Sequence, residues 1–297
     1  MELDKKRIDR IVRFALKEDI WTGDITSQAV LDRFLVADAV IIAREKGVIC
    51  GMGVVERVFA SVDYCLKFKP MVSDGDNVNP GQEVAFIEGE AWSILKAERV
   101  ALNFLSMLSG TATRTRSIVE MVKGTGVKIY DTRKTIPLHR YLQKYAVRVG
   151  GGYNHRQGLY DMVLIKDNHI KAFAMQKDNA DSEKVIKEIV HRARKNVQSN
   201  IRVEIEVETL AECGYALEAA PDVIMLDNMD PETIRKAVEC RREKDLEGKV
   251  LFEVSGGMNE ANIMGYAVTG VDMISIGALT GTVKGLDLSM EVVYRRG

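Results

Sequence analysis

The chain has no long apolar run, no paired cysteines and almost no net charge. Each absence removes a class of protein. No segment approaches the roughly 20 apolar residues that cross a bilayer, so no membrane span is predicted. The four cysteines, Cys50, Cys65, Cys213 and Cys240, are scattered without a CxxC pair. That argues against a metal cage or disulfide framework and for a reducing compartment, with the cytoplasm as the default. A formal net charge of −1 gives no global field for nucleic acid or a membrane surface, so any anion site has to be local. With five prolines, 6% aromatics, 46% hydrophobic and 29% charged residues, the composition is that of an ordinary soluble globular protein. The opening MELDKKRIDRIVRFALKED reads as a charged amphipathic helix and not as a secretory leader.

A length of 297 residues suits one large α/β barrel or two modest domains. Ile8, Ile11, Val12, Ala15 and Leu16 recur at helical spacing. Residues 36–90 read as β, with turns at Asp74-Gly75 and Asn79-Pro80-Gly81. Residues 92–123 read as a helix with a break near Ser109-Gly110. From 127 onward, strand-like runs at 127–131, 161–166, 201–208, 222–227, 249–255 and 271–277 alternate with helical stretches at 182–195, 209–219, 231–242 and 259–268. This alternation predicts parallel strands with crossover helices, closed or nearly closed into a barrel. In the tail, Leu286, Leu288, Met290 and Val292 share a face, as in a last strand returning to the N-terminal β region.

Residues 131–170 concentrate the chemistry. They hold three of the four histidines (His139, His155, His169) and seven Lys/Arg against three Asp. Arg133, Lys134, Arg156 and Lys166, with His155, lie where barrel strands end, and such ends build active sites. A single Arg is more often one half of a surface ion pair. A convergent set fits a ligand with two carboxylates, or a carboxylate plus phosphates. Glu204, Glu206 and Glu208 lie two apart on one strand face. Inside a barrel such carboxylates need a cation or metal partner. Glu206 and Asp227 suit Mg²⁺, or positive charge developing on a sugar. Ser255-Gly256-Gly257 and Gly277-Ala278 follow the last two barrel strands, where backbone amides cradle phosphate. Gly150-Gly151-Gly152 reads as a flexible loop or a close backbone approach.

Six segments in order, DTRKT, KYAVRVGGGYNHRQGLYDMVLIKDNH, EIEVE, IMLDN, EVSGG and IGALT, resemble the quinolinate phosphoribosyltransferase family. EDIWTGDIT and ILKAERVALNFLSMLSGTAT upstream resemble its N-terminal motifs, so the likeness runs from about Glu18 to the C-terminus. The resemblance implies an α/β fold in two parts. Residues 1–112, joined by a C-terminal strand at 284–297, would form an α/β sandwich, and residues 113–283 an open parallel α/β barrel. It implies transfer of phosphoribosyl from phosphoribosyl pyrophosphate to quinolinate with decarboxylation, giving nicotinate mononucleotide, pyrophosphate and CO₂ for NAD biosynthesis. It also implies Mg²⁺ and a homodimer with shared sites, Arg99 coming from the partner.

By the same resemblance, Arg133, His155, Arg156 and Lys166 would hold the diacid, with Lys134 reaching phosphoribosyl pyrophosphate. Glu206 and Asp227 would meet its ribose and Mg²⁺. Ser255, Gly256, Gly257, Gly277 and Ala278 would meet its 5-phosphate, and Thr132 and Ile276 complete the binding set. Lys134, Lys166, Glu206 and Asp227 form the catalytic group. The chain departs from the family pattern at Gly281-Thr282, where His-Ser is usual, and at Leu138-His139, where Gly follows the proline. Three other readings stay open: a related transferase with another acceptor, a Schiff-base aldolase using Lys166, and a barrel kept as a scaffold or sensor.

Overall fold

The computed structural model describes residues 3–31, 35–177 and 181–295. It divides into two compact units, one of Met1–Ser117, Thr135–Gly151 and Leu279–Gly297, the other of Ile118–Lys134 and Gly152–Ala278. Among the described residues, no helix is long and apolar enough to cross a membrane.

The first unit is built on an antiparallel sheet in the order β12-β1-β5-β3. These strands are β1 (Val36–Ala43), β3 (Lys67–Pro70), β5 (Glu83–Glu90) and β12 (Leu288–Arg295), and a small ladder joins β2 (Gly47–Val48) to β4 (Asn77–Val78). Burial alternates residue by residue along β1 and places Ala37, Ala39, Ile41 and Ala43 in the core. Helix α1 (Lys5–Ile20) adds Ile8, Val12 and Leu16 to that core. A short α2 (Ile25–Val30) follows, capped by Asp24. The tail does return, β12 pairing with β1 from Ala43↔Leu288 to Val36↔Arg295. Of the segments read from the sequence, residues 1–2 and 296–297 lie outside the described residues.

Three expectations for this unit are corrected. Residues 36–90 are not all β, because Met52–Val62 forms helix α3. Gly51 opens it with φ +111°, and Asp74 Oδ1 accepts the Gly51 and Met52 N–H groups at 2.9 Å each. Helix α4 (Ala91–Met121) is unbroken at Ser109-Gly110. Gly110 has a packing reason instead, since a Cβ there would lie 2.0 Å from the Lys284 carbonyl oxygen. Finally, residues 113–117, 135–151 and 279–283 fall in the first unit and not with the barrel. Helix α5 (Arg140–Val149) shows why, because its Leu142 and Ala146 join the first unit's core. The triple glycine is a close approach at Gly150, whose Cβ would meet the Ala112 carbonyl oxygen at 2.6 Å. Leu138 adopts φ +66°, the left-handed conformation a glycine would take there. Thr282 accepts from Arg114 Nη1 at 3.2 Å through its carbonyl oxygen.

The second unit is a parallel sheet in the order β6-β11-β10-β9-β8-β7. Its strands are β6 (Lys128–Tyr130), β7 (Val163–Ile165), β8 (Val203–Val207), β9 (Val223–Asp227), β10 (Leu251–Ser255) and β11 (Met273–Ser275), matching the six runs expected. β6 and β7 end the order without pairing to each other, so the barrel is open. Helices α6 (Asp167–Met175), α7 (Ser182–Asn196), α8 (Leu210–Ala219), α9 (Pro231–Glu243) and α10 (Ile263–Ala267) follow β7 onward, and α11 (Ala278–Gly281) starts at the unit's last residue. Caps fix several starts: Asp181 for α7, Thr209 with Glu212 for α8, and Asp230 ahead of Pro231 for α9. Where β9 and β11 begin, one device recurs. Arg194 from α7 pairs with Asp222, which also accepts the Val203 N–H, and Arg241 from α9 pairs with Asp272, which accepts the Phe252 N–H.

The two locks differ in burial: the Arg241 side chain is 3% exposed and that of Arg194 is 37% exposed. Asp272→Ala strands a buried guanidinium and should cost about 3–5 kcal/mol, whereas Asp222→Ala should cost no more than about 1–2 kcal/mol. Denaturant unfolding of both variants measures the difference, and equal losses would contradict the role of burial.

Candidate active site

Alternation along the parallel strands decides what faces the lumen. Leu164 and Lys166, Glu206, Met225 and Asp227, Glu253 and Ser255, and Ser275 and Gly277 line a cavity of about 650 Å³ at the strands' C-terminal ends. Thr132, Arg133 and Lys134 enter from the loop after β6, and His155 and Arg156 from the segment before β7. Asn228, Gly256, Gly257 and Ala278 complete the wall. The structure therefore gathers Thr132, Arg133, Lys134, His155, Arg156, Lys166, Glu206, Asp227, Ser255, Gly256, Gly257, Gly277 and Ala278 in one place. Two candidates stand elsewhere. Ile276 is buried, and its N–H is spent on the Tyr130 carbonyl at 2.9 Å. Arg99 is an exposed residue of α4 and does not line the cavity.

The cations are held against their own preferences. Arg156 is 8% exposed. Burial lowers its pKa, and the neighbouring Arg133 guanidinium lowers it further. Its Nη1 donates to the Met162 carbonyl at 3.3 Å. Two guanidiniums that line one cavity, one of them buried, can form a receptor for an anion. Lys166 Nζ donates to Glu206 Oε2 at 2.6 Å. An ammonium engaged in that way is not a free amine, which weighs against Schiff-base chemistry. Burial raises the Asp227 carboxyl, and the charge of Glu206 on the neighbouring strand raises it further.

The glycines leave main chain open to the cavity. Gly256 takes φ +97°, and a Cβ there would meet Asn228 Oδ1 at 2.1 Å. At Gly277 a Cβ would meet Lys134 Cδ at 2.6 Å. Asn228, Glu253 and Ser275 were not among the residues singled out from the sequence. Glu253 did leave a signal, as a lone carboxylate inside the apolar run VLFEV.

Beneath the mouth lies a buried ionic cluster. His155 Nε2 stands 3.1 Å from Glu204 Oε2 and 3.3 Å from Glu253 Oε2. Burial alone would lower the imidazole, but the two carboxylates outweigh it and push it up to about 10. Burial and the charge of Glu253 push Glu204 up to about 7. His155 Nδ1 also accepts the Arg156 N–H at 2.8 Å, which only an unprotonated Nδ1 does. That contact is the firmer guide to the proton's place: the ring carries Nε2–H, and the cluster's extra proton is shared on the carboxylate side. The three side chains put donor atoms within 4.8 Å of one another, a spacing open to a metal ion. The ion pairs, with the Arg156 charge acting on Glu204, account for the spacing without one.

Fold and cavity together define an α/β-barrel enzyme whose mouth receives a small polyanion. The family model of the quinolinate phosphoribosyl transferase C-terminal domain matches residues 111–291, and that of the N-terminal domain residues 24–109. The chain belongs to the quinolinate phosphoribosyltransferase family. It is 42% identical over 288 residues to a Methanocaldococcus jannaschii protein described as a "Probable nicotinate-nucleotide pyrophosphorylase [carboxylating]", covering 96% of each. It is 38% identical over 298 residues to a Nicotiana tabacum "Quinolinate phosphoribosyltransferase [decarboxylating] 2a, mitochondrial", covering 95% of this chain and 81% of that one. The structure of the nicotinate-nucleotide pyrophosphorylase from Francisella tularensis superposes with a TM-score of 0.88 at 41% identity, covering 98% of both chains.

The cluster also sets a pH dependence. Glu204 rises from 4.5 to about 7, so the protonated folded state is favoured. Its stabilisation is complete below the unfolded value and is lost as pH climbs through 7. Glu204→Gln should flatten the wild-type decline that begins above about pH 4.5. Thermal melts across pH 5–10 measure this, and parallel curves for the two proteins would refute it.

Proposed function

We propose that this chain transfers the phosphoribosyl group of phosphoribosyl pyrophosphate to quinolinate with loss of CO₂, giving nicotinate mononucleotide and pyrophosphate for NAD biosynthesis. Family membership over nearly the whole chain supports this reading. The observation that carries it at the site is the buried Arg156 lining one cavity with Arg133, Lys134 and Lys166, a set that anionic charge stabilises. A pyridine diacid supplies that charge in the planar form that guanidinium forks match.

Arg133, Arg156 and Lys166 seat the two carboxylates and turn the ring nitrogen toward the sugar. The main chain at Gly256, Gly257 and Gly277 receives the 5-phosphate, with Ser255 beside it. Lys134 lies over Gly277 and reaches the pyrophosphate. As the C1–oxygen bond breaks, C1 becomes oxocarbenium-like, and Glu206 faces that charge. The ring nitrogen attacks C1 and becomes a pyridinium. The C2 carboxylate then leaves as CO₂, its electron pair staying on the carbon next to N⁺, and that carbon takes a proton. Holding and neutralising charge is the protein's main task, and no covalent nucleophile is required.

Glu206 and Asp227 fit a divalent cation, because two partly buried acids whose charges oppose each other are relieved by one. Mg²⁺ bound there supplies neutralising charge to the pyrophosphate. The exposed position of Arg99, outside the cavity, supports a homodimer in which it serves the partner's site. The four cysteines are free, as a reducing cytoplasm would keep them.

The test is formation of nicotinate mononucleotide from quinolinate, phosphoribosyl pyrophosphate and Mg²⁺. Wild type should turn over. Arg156→Ala should lose about 2–5 kcal/mol in kcat/KM for quinolinate, since a carboxylate is left short of its partner. Normal turnover by that variant at low quinolinate would end the assignment.

A further inference from the structure

Beneath the cations lie side chains to which the mechanism above gives no part. Glu253 is fully buried in the middle of β10, and Ser275 ends the neighbouring β11. The Ser275 hydroxyl donates to Glu253 Oε1 and so fixes the turn of that carboxylate. The other oxygen, Oε2, faces His155 Nε2 at 3.3 Å, and Glu204 Oε2 approaches the same nitrogen at 3.1 Å. The opposite ring nitrogen accepts the Arg156 backbone N–H at 2.8 Å. The imidazole is thus gripped from β8 and β10 on one side and tied to the next residue's main chain on the other. Asp131 completes the hold, accepting the His155 N–H at 2.9 Å and the Asn154 amide at 2.6 Å.

This arrangement is costly to keep. Two carboxylates taken out of water side by side lose hydration that one imidazole does not restore. Apolar side chains of similar shape at 204 and 253 would give a barrel of equal or greater stability. The charge has a use, however, just above. Arg156 is buried in the cavity that Arg133 also lines, and the charge of Glu204, which meets the same imidazole from below, favours its cation. The phosphate cradle has no such need, because main chain forms it.

We propose that Glu253, steadied by Ser275, is a positioning residue for the diacid pocket: acting through His155, it fixes the Arg156 main chain and holds the imidazole against Glu204, whose charge favours the Arg156 cation. The proposal rests on the reading of this cavity as the quinolinate site. Its consequence is selective, since it concerns one of the two substrates.

Steady-state kinetics on the full chain, varying each substrate in turn, test it. Glu253→Gln keeps the shape and an acceptor for Ser275 but removes the charge. Ser275→Ala keeps every charge but frees the carboxylate to turn. KM for quinolinate should rise about tenfold or more in Glu253→Gln and about threefold or more in Ser275→Ala. KM for phosphoribosyl pyrophosphate, and kcat at saturating quinolinate, should stay within about twofold of wild type. A merely structural role predicts the reverse: a lower melting temperature and lower kcat with the quinolinate KM unmoved. That result overturns the proposal, as does an unchanged quinolinate KM in Ser275→Ala, the milder variant, should Glu253→Gln fail to fold. Absence of nicotinate mononucleotide with wild type would instead sink the functional reading. Turnover by wild type with both variants normal for quinolinate sinks this proposal alone.

Discussion

The site depends on a vertical layering of charge in the barrel lumen. Guanidiniums and ammoniums occupy the mouth, and carboxylates lie beneath and between them. Neither layer is stable by itself. Buried carboxylates without cations would take up protons, and close guanidiniums without anions would push apart. Each layer makes the other tolerable, and together they leave a net demand for anion at the mouth. A diacid meets that demand with more interaction energy than water can offer at Arg156, which has already lost much of its hydration. The cost of desolvation is met on folding and not on binding, which is the physical meaning of a preorganised pocket.

The fold separates this strained end from the end that holds the barrel together. At the N-terminal ends of the strands, Arg194–Asp222 and Arg241–Asp272 tie helices to strand starts through ion pairs whose carboxylates also accept a strand N–H. At the C-terminal ends, Arg156 and Asp227 each feel a like charge. The strands are five residues or fewer, so the two regimes are only a few residues apart. The period-2 alternation of a strand makes this possible. Successive lumen positions such as Glu204 and Glu206 lie on one face but at different depths. The deeper one meets His155 and the shallower one meets Lys166.

How much of this was legible follows from what each signal encodes. The parallel sheet was readable because strands buried on both faces are apolar and sit between amphipathic helices, a pattern that is local. The cation set was readable because Arg and Lys at strand ends have few structural reasons to be there. Helix α3 was not, since its apolar residues follow a glycine and precede turns, and the Asp74 cap that starts it lies 22 and 23 residues away from the amides it meets. The allegiance of α5 was equally hidden. It lies in sequence between two barrel strands, where a crossover helix belongs, yet its apolar face packs in the other unit. Glu253 and Ser275 were passed over because they lie one turn of the pleat below the polar strand ends, where a reading that looks for chemistry only at the ends stops.

Two departures from the family pattern show how sequence differences are absorbed. At Leu138 the backbone keeps φ +66°, so a leucine takes a conformation that costs roughly 1–2 kcal/mol relative to glycine instead of letting the loop move. The neighbouring loop explains why it holds. Ile136 N–H donates to Gln143 Oε1 at 2.9 Å, and Gln143 Nε2 donates to the Thr280 carbonyl at 2.8 Å. With its neighbours fixed at both ends, the segment accepts strain at a single exposed residue. At Thr282 the side chain lies outside the cavity and meets Arg114. The proposed receptor for the 5-phosphate is glycine main chain, which does not change with the side chains around it. In both places geometry is set by backbone hydrogen bonds, and side-chain identity adjusts around it. The reverse holds at the cationic end of the cavity, where charged side chains and not main chain form the lining.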